Sequence, residues 1–447
     1  MARIKKIMKF GGSSVGTPKM IKKVGEIVGF ARRRENVAVV VSAFQGVTDQ
    51  LLKCAKFAAR QYKKLPEELG SLKIRHIQAV NSLSRSRKSK VESLKYVDDL
   101  FEELKEVLNK ISAEKSVSGR NLDLVASFGE RLSAFIVASS FRGGYFVDAR
   151  DLVKTDGRFV NASVDFLKTN RKIRDFFAKK IRNRETRNGI PVITGFLGST
   201  VKNETTTLGR GGSDYSGAIF GAALDVDVVE IWTDVDGVMS ADPKSVKQVV
   251  VLPEISYEEA IEMAYFGAKV IHPATMLPAI KKGIPITIKN TFNPSARGTR
   301  IIKEAANDLL VKGITAIDDV VLINIAGTSL AGIPGSAARV FEAAARAKAN
   351  IILISQASSE HTICFAVKSA ELAPVLKALD KEFSAEIGSG KVSVSFSKNQ
   401  AVVAMVGDGM RGVPGIAGKL FGILGENGIN VSAIAQGGSE RNISFAV

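Results

Sequence analysis

Three segments gather residues able to do chemistry within a few positions. The first is Lys9-Phe10-Gly11-Gly12-Ser13-Ser14, after the short apolar run Ile7-Met8. Adjacent glycines let backbone N–H groups close on an anion, and Lys9 adds a point charge beside them. The second is Thr205-Thr206-Thr207-Leu208-Gly209-Arg210-Gly211-Gly212-Ser213-Asp214. Its guanidinium suits two-pronged recognition of a carboxylate, and Ser213 and Asp214 open a helix pattern whose N-terminus favours an anion. The third is Ile231-Trp232-Thr233-Asp234-Val235-Asp236-Gly237, leading to Asp242-Pro243-Lys244. A strand ending in Thr-Asp offers a hydroxyl and a carboxylate to a nucleoside. Taken singly, the first and third also fit ordinary capped turns.

Other chemistries are poorly supplied. Two cysteines, Cys54 and Cys364, and three histidines, His76, His272 and His361, show no metal-ligand spacing, so no protein metal site is expected. Gly407-Asp408-Gly409-Met410-Arg411-Gly412 fits G-x-G-x-x-G after a strand pattern, yet no acidic residue ends the next strand, Asn430–Gln436. A dinucleotide site needs that ribose partner. Gly418-Lys419 is followed by Leu420 and has Val413 where a Walker loop has glycine.

The elements that must position these groups follow from periodicity. Over about 310 residues, β-branched runs (Val37–Val41, Pro191–Thr194, Val228–Trp232, Pro285–Ile288) alternate with helical stretches, which predicts an α/β domain with a largely parallel sheet. Residues 53–120 are polar, Lys/Arg-rich and helical in period, and are expected to stand off the sheet with a solvated face. Gly327–Val367 then aligns without a gap to Gly407–Val447, with fifteen of 41 pairs identical, including Pro334/Pro414, Phe341/Phe421, Gln356/Gln436 and Phe365/Phe445. Each copy reads as strand, Gly/Pro loop, helix, strand, turn and strand. The first copy continues into a helix pattern near 369–383 and a further strand. The second stops at Val447, as if the natural chain were longer.

The chain has 447 residues, 45% hydrophobic and 24% charged, with a formal net charge of +18. This is the composition of a globular protein of two to four domains. No apolar run reaches membrane-spanning length and the first residues lack a secretory pattern, so a reducing, cytoplasmic setting is expected. Aromatics are 7% and no stacking motif accompanies the basic residues, which argues against a nucleic-acid partner.

In their order these segments resemble the aspartate kinase family, over essentially the whole chain. The matching stretches are Lys9–Ser14, Val41-Ser42-Ala43 with Gly46-Val47-Thr48, Ser127-Phe128-Gly129-Glu130-Arg131, Gly195-Phe196, Thr205–Asp214, Trp232-Thr233-Asp234 and Phe266–Pro273. The resemblance implies a three-layer αβα amino-acid-kinase domain over 1–308. Two α+β, ferredoxin-like ACT domains would follow over 309–396 and 397–447, the last C-terminally incomplete. It implies that Lys9 contacts the transferring phosphoryl group, with Phe10, Gly11 and Gly12 closing on phosphates and Asp214 beside them. Ser42, Thr48, Glu130, Phe196, Thr207, Arg210, Ser213 and Asp214 would hold L-aspartate, Glu130 by its α-ammonium and Arg210 by a carboxylate. Thr233, Asp234, Met239, Lys244, Lys269 and Val270 would contact ATP, with Mg²⁺ accompanying it. Members often carry Tyr at the Met239 position and Arg at the Lys244 position. Gln356, Gln436, Asn350 and Asn430 would serve an amino-acid effector, threonine preferred over lysine, in a homodimer or larger oligomer. Another carboxylate kinase of this fold, or the kinase part of a bifunctional aspartate kinase–homoserine dehydrogenase, are the alternatives.

The chemistry agrees with the residue inventory. A carboxylate acceptor with an ordinary pKa near 3.9 is already ionised at neutral pH and needs no general base. Alignment and charge neutralisation remain to be supplied, and Lys, Arg and backbone amides can supply them.

Overall fold

The computed structural model describes residues 3–183, 188–267, 272–306, 309–328, 330, 333–356 and 361–447. The chain divides into two compact units. The first comprises Met1–Val238, Val251–Tyr257 and Val270–Ala305, and the second Met239–Val250, Glu258–Lys269 and Ala306–Val447.

In the first unit the strands are β1 (Lys6–Phe10), β2 (Val37–Val41), β3 (Gly144–Val147), β4 (Ile190–Thr194), β5 (Leu197–Ser199), β6 (Thr205–Thr207), β7 (Val228–Thr233), β8 (Glu254–Ser256), β9 (Ile286–Asn290) and β10 (Thr299–Ile302). Among the described residues, eight of them form one sheet in the order β3-β4-β2-β1-β7-β9-β10-β8, and β5 pairs with β6 as a separate hairpin. All sheet neighbours run parallel except β9 and β10. β2 is a wholly buried apolar strand and β1 is buried over its last four residues, as a sheet covered on both faces requires. β1 is flanked by β2 on one side and β7 on the other, so strand order reverses there. Ligand crevices of open α/β sheets form beyond the carboxyl ends of strands at such a reversal.

The helices of this part are α1 (Gly12–Val15), α2 (Pro18–Arg32), α3 (Val47–Ala59), α4 (Leu65–Leu83), α5 (Arg87–Glu114), α6 (Gly119–Ser140), α7 (Phe166–Arg182), α8 (Gly212–Leu224) and α10 (Pro273–Ile280), whereas α9 (Tyr257–Tyr265) falls in the second unit from Glu258 on. As expected, the helices of residues 53–120 stand off the sheet, with α4 and α5 packed against α3 and α6. α5 buries Val97, Leu100, Phe101, Leu104, Leu108 and Ile111 along one face. That stripe joins α3, α4, α6 and the sheet residues Val39 and Val192 in one hydrophobic core. The charges occupy the other faces; the apolar stripe at helical spacing decides the packing.

The second unit contains β11 (Gly313–Ala326), α11 (Ser336–Arg346), β12 (Leu353–Gln356), β13 (Thr362–Lys368), α12 (Leu372–Glu382), α13 (Ser384–Gly388), β14 (Ser393–Val406), α14 (Ile416–Glu426), β15 (Ala433–Gln436) and β16 (Asn442–Ala446). Its antiparallel sheet runs β12-β13-β11-β14-β16-β15. The two long strands serve both repeats. The second half of β11 pairs with β13 and the first half of β14, while Gly313–Ile317 pairs with Val402–Val406. The second repeat therefore takes a strand from the chain ahead of the first. The repeated aromatics do the same work twice: Phe341 meets Phe365 edge-on at 6.2 Å, and Phe421 meets Phe445 at 5.9 Å. Gly407 of the rejected dinucleotide motif is a close-packing glycine, since a Cβ there would sit 2.3 Å from Leu310 O. Its repeat partner Gly327 is equally confined, 2.1 Å from Lys391 O.

Candidate active site

A cavity of about 720 Å³ opens in the first unit beyond the carboxyl ends of β1, β2 and β7. Lys9, the next-to-last residue of β1, reaches it from an almost fully buried position. Gly12 and Ser13 follow in the wall. A Cβ at Gly12 would lie 3.0 Å from Ala43 O, so the turn can approach the β2 loop only because the side chain is absent. Opposite stands the N-terminus of α8, entered through Gly211 with φ +71°. Its first turn presents Gly212, Ser213 and Asp214 to the cavity. The Lys9 Nζ to Asp214 Oδ1 distance is 2.5 Å, so the two sequence motifs meet in one ion pair.

The residues expected to hold the acceptor complete the wall. Ser42 and Thr48 come from the loop and helix start after β2, and Thr207, Arg210 and Ser213 from the β6–α8 segment. Arg210 is exposed at the rim. Phe196 lines the cavity with φ +68°, a conformation costly for a bulky residue. It is held by its N–H donating to Ser216 Oγ at 2.9 Å and its carbonyl accepting from Leu208 N at 2.9 Å. Gly212 must be glycine beside it, since a Cβ would meet the Phe196 ring at 2.5 Å.

Glu130, on the inner face of α6, is 3% exposed and its Oε2 has no hydrogen-bond partner in the protein. Burial pushes its carboxyl up to about 8, against a hydrogen bond from the Ala43 backbone and the positive charge of Lys9. A buried acid with one orphaned oxygen facing a cavity is poised for a cationic ligand atom.

Sequence reasoning missed Asp123, one heptad before Glu130 on α6. It lines the cavity while 2% exposed. Its Oδ2 accepts from Val160 N at 2.9 Å and Thr207 N at 3.0 Å, and its Oδ1 accepts from Thr207 Oγ1 at 2.6 Å. Burial raises its pKa, opposed by these bonds. The spacing from Asp123 to Glu130 was the available signal, because seven residues return a helix to the same face.

Several expected positions are not in this wall. Phe10 is fully buried and stacks on Trp232 at 5.7 Å, making it a core residue. Gly11 N donates to Trp232 O at 3.1 Å and is thus already spent. Asp234 lines the cavity, and Thr233 donates its hydroxyl to Asp234 at 3.0 Å. Met239 and Lys244 belong to the second unit, where Lys244 N closes an Asx turn on Asp242 Oδ1 at 2.9 Å. Lys269 and Val270 lie outside the described residues. Among the described residues no group of three or more His, Cys, Asp or Glu side chains could hold a metal ion, and no helix is long and apolar enough to cross a membrane.

In the second unit, Gln436 lines a cavity of about 300 Å³ with Met410, Gly412–Ala417, Glu440 and Ile443. Glu440 Oε2 accepts from Gly412 N at 2.7 Å, closing the loop over it. Gln356 ends β12, and the residues after it, 357–360, lie outside the described ones. Asn350 and Asn430 are exposed and do not line that cavity.

Comparison with known proteins places this geometry. Residues 5–290 match the amino acid kinase family, and residues 323–383 and 403–447 match the ACT domain. The chain is 37% identical over 455 residues to a maize chloroplastic bifunctional aspartokinase/homoserine dehydrogenase 2, covering 99% of this chain and 48% of that protein. It thus spans about half the length of the first curated relatives it matches. Aspartokinase 1 of Arabidopsis thaliana, also chloroplastic, is 32% identical over 455 residues, with 99% and 77% of the two chains covered. The crystal structure of E. coli aspartokinase III with aspartate and ADP superposes with a TM-score of 0.80 at 27% identity, covering 99% and 96% of the two chains. The same protein with lysine and aspartate gives 0.80 at 26%, with the same coverage. With an amino acid kinase domain followed by paired ACT repeats, the chain belongs to the aspartokinase family.

Proposed function

We propose that this protein phosphorylates the side-chain carboxylate of L-aspartate with ATP, giving 4-phospho-L-aspartate and ADP. The observation that carries the reading is the meeting of Lys9 and Asp214 in one cavity with Glu130 and Arg210. Lys9 and the α8 N-terminus form an anion cradle, Arg210 suits a carboxylate, and Glu130 suits an ammonium. An α-amino acid with a second carboxylate matches that set in charge and number.

The order of events follows from the charges. The acceptor carboxylate and the phosphates repel each other. Lys9 leaves Asp214 for the phosphoryl group and neutralises it as the two substrates close. Glu130 gives up its proton to receive the α-ammonium, which fixes the acceptor's orientation. Cavity carboxylates Asp214 and Asp234 with nucleotide oxygens suit Mg²⁺, which is held by one or two carboxylates plus phosphates and water. When bound, it neutralises charge on the phosphates.

The Gln436 cavity supports feedback control by a small amino acid, its volume lying at the lower end of ligand pockets. Threonine is the preferred effector, by the glutamine that ends both repeat turns; the lysine complex of the E. coli relative supports lysine as the second choice. Exposed Ile354 and Ile434, at matching places on β12 and β15, support a homo-oligomer paired through these repeats. The experiment is aspartate-dependent ADP release with hydroxylamine trapping of the acyl phosphate, run with threonine, lysine and both. ADP release indifferent to aspartate would overturn the reaction, and inhibition by lysine with threonine inert would reverse the effector.

A further inference from the structure

The basic helices between residues 53 and 120 lack a sequence motif, yet one of their cations turns inward. Arg75, midway along α4, donates through Nη1 to Gln45 O at 2.9 Å and through Nη2 to Gly16 O at 3.0 Å. Burial alone lowers its pKa; no carboxylate offsets it. Its guanidinium lies 5.8 Å from the Phe44 ring centroid. The next residue, His76, stacks on that ring at 5.0 Å and 8°. A partly buried guanidinium is costly to leave unsatisfied, and here its two arms end on carbonyls of two different loops.

Both loops contribute to the cavity wall. Gly16 closes the turn that carries Gly12 and Ser13, on the phosphate side. Gln45 sits in the segment Ser42–Thr48, on the acceptor side. They abut closely: Gln45 N donates to Gly12 O at 3.2 Å, and a Cβ at Gly16 would lie 3.3 Å from Gln45 Cβ. We propose that Arg75 is a positioning residue that fixes the spacing between the phosphate-side and acceptor-side loops. This rests on the kinase reading above. Each substrate finds most of its contacts on its own side, so each binds without Arg75. Transfer itself needs the reacting atoms about 3–3.5 Å apart, a separation set by how the two loops sit against each other.

The test compares Arg75→Met, Arg75→Lys and Lys73→Gln. Lys73 shares α4 but pairs with Asp98 at the surface, 2.7 Å away, and controls for lost charge. Arg75→Met is expected to lower kcat by roughly 10- to 100-fold, the penalty of a misplacement near 1 Å, with the KM values for ATP and aspartate changed less than about threefold. Arg75→Lys, with one flexible ammonium for a two-armed fork, falls between. Lys73→Gln matches the parent. Hydrogen exchange at the Gln45 amide, which reports loop contact without any turnover, speeds up in Arg75→Met while α6 amides stay protected. Parent-like kcat and Gln45 exchange in a folded Arg75→Met protein would overturn the inference. If that variant does not fold, parent-like kcat in Arg75→Lys does the same. An inactive parent enzyme refutes the kinase reading instead, and the Gln45 exchange still decides the role of Arg75.

Discussion

On the proposed kinase reading, the raised pKa of Glu130 predicts that aspartate binding releases a proton. With its carboxyl at about 8, Glu130 is mostly neutral at pH 7 in the free enzyme. It must ionise to pair with an ammonium. The apparent affinity then scales with the ionised fraction, which rises roughly tenfold per pH unit below that value. Between pH 6 and pH 8 the KM for aspartate is expected to fall roughly 50-fold, or about 2.3 kcal/mol. Glu130→Gln removes the titration. Its KM stays near the parent value at pH 6, where the parent is also neutral, and the gap widens to tenfold or more by pH 8. The assay is initial-rate ADP release at saturating ATP across that range. A parent KM that stays flat from pH 6 to 8, or a Gln variant with the parent's slope, refutes the reasoning.

The same group makes a statement about stability, with a definite sign. A carboxyl whose folded pKa is raised from 4.5 to about 8 is protonated in the folded state while the unfolded chain ionises. Stability from this group is complete below pH 4.5 and declines as pH rises toward 8, by roughly 3 kcal/mol at pH 7. Glu130→Gln should therefore melt higher than the parent at pH 8 while binding aspartate worse. Such a trade marks a residue kept for function at the expense of the fold.

Three further outcomes are expected. Lys9→Ala should lower kcat by roughly 100-fold or more in the hydroxamate assay, as loss of a transition-state charge does; a fully active variant would remove Lys9 from the chemistry. Asp123→Asn loses an acceptor for Thr207 Oγ1, and should cost about 1–3 kcal/mol in urea unfolding and raise the aspartate KM. Unchanged values would leave Asp123 without a role in shaping the wall. His76, buried between Phe44 and Phe101, has its pKa lowered to about 4 by burial. Since the unfolded histidine takes up its proton near 6.5 and the folded one resists it, stability falls as pH drops from 6.5 toward 4, by roughly 3 kcal/mol. His76→Leu should flatten that acid limb of the urea midpoint against pH.

What could be read in advance depended on how close in sequence the cooperating residues lie. Lys9–Ser14 and Thr205–Asp214 are legible because each packs its donors, glycines and charges into one strand-to-helix connection. The sheet only has to bring the two connections together. Asp123 and Arg75 are single charged residues on helices; the partners of Asp123 lie 84 and 37 positions away at Thr207 and Val160, and those of Arg75 lie 59 and 30 away at Gly16 and Gln45. No local pattern marks them. The helical period of α5 was legible by spacing, and its apolar stripe packs against α3, α4 and α6 while its charges face outward. The shared strand β11 depends on which of two repeats each half of it joins, a choice made by long-range pairing.

Net charge is the quantity that misleads most here. Lys73 and Arg75 count equally toward +18 and stand two positions apart on α4. Two positions on a helix turn a side chain by about 200°, to nearly the opposite face. One lands beside a surface carboxylate, where an ion pair contributes at most about 1 kcal/mol. The other lands on two backbone carbonyls beneath the cavity and makes no salt bridge among the described residues. Which cation is solvated and which one shapes the site is decided by helix phase and by the direction in which α4 crosses α3. A count of basic residues holds neither.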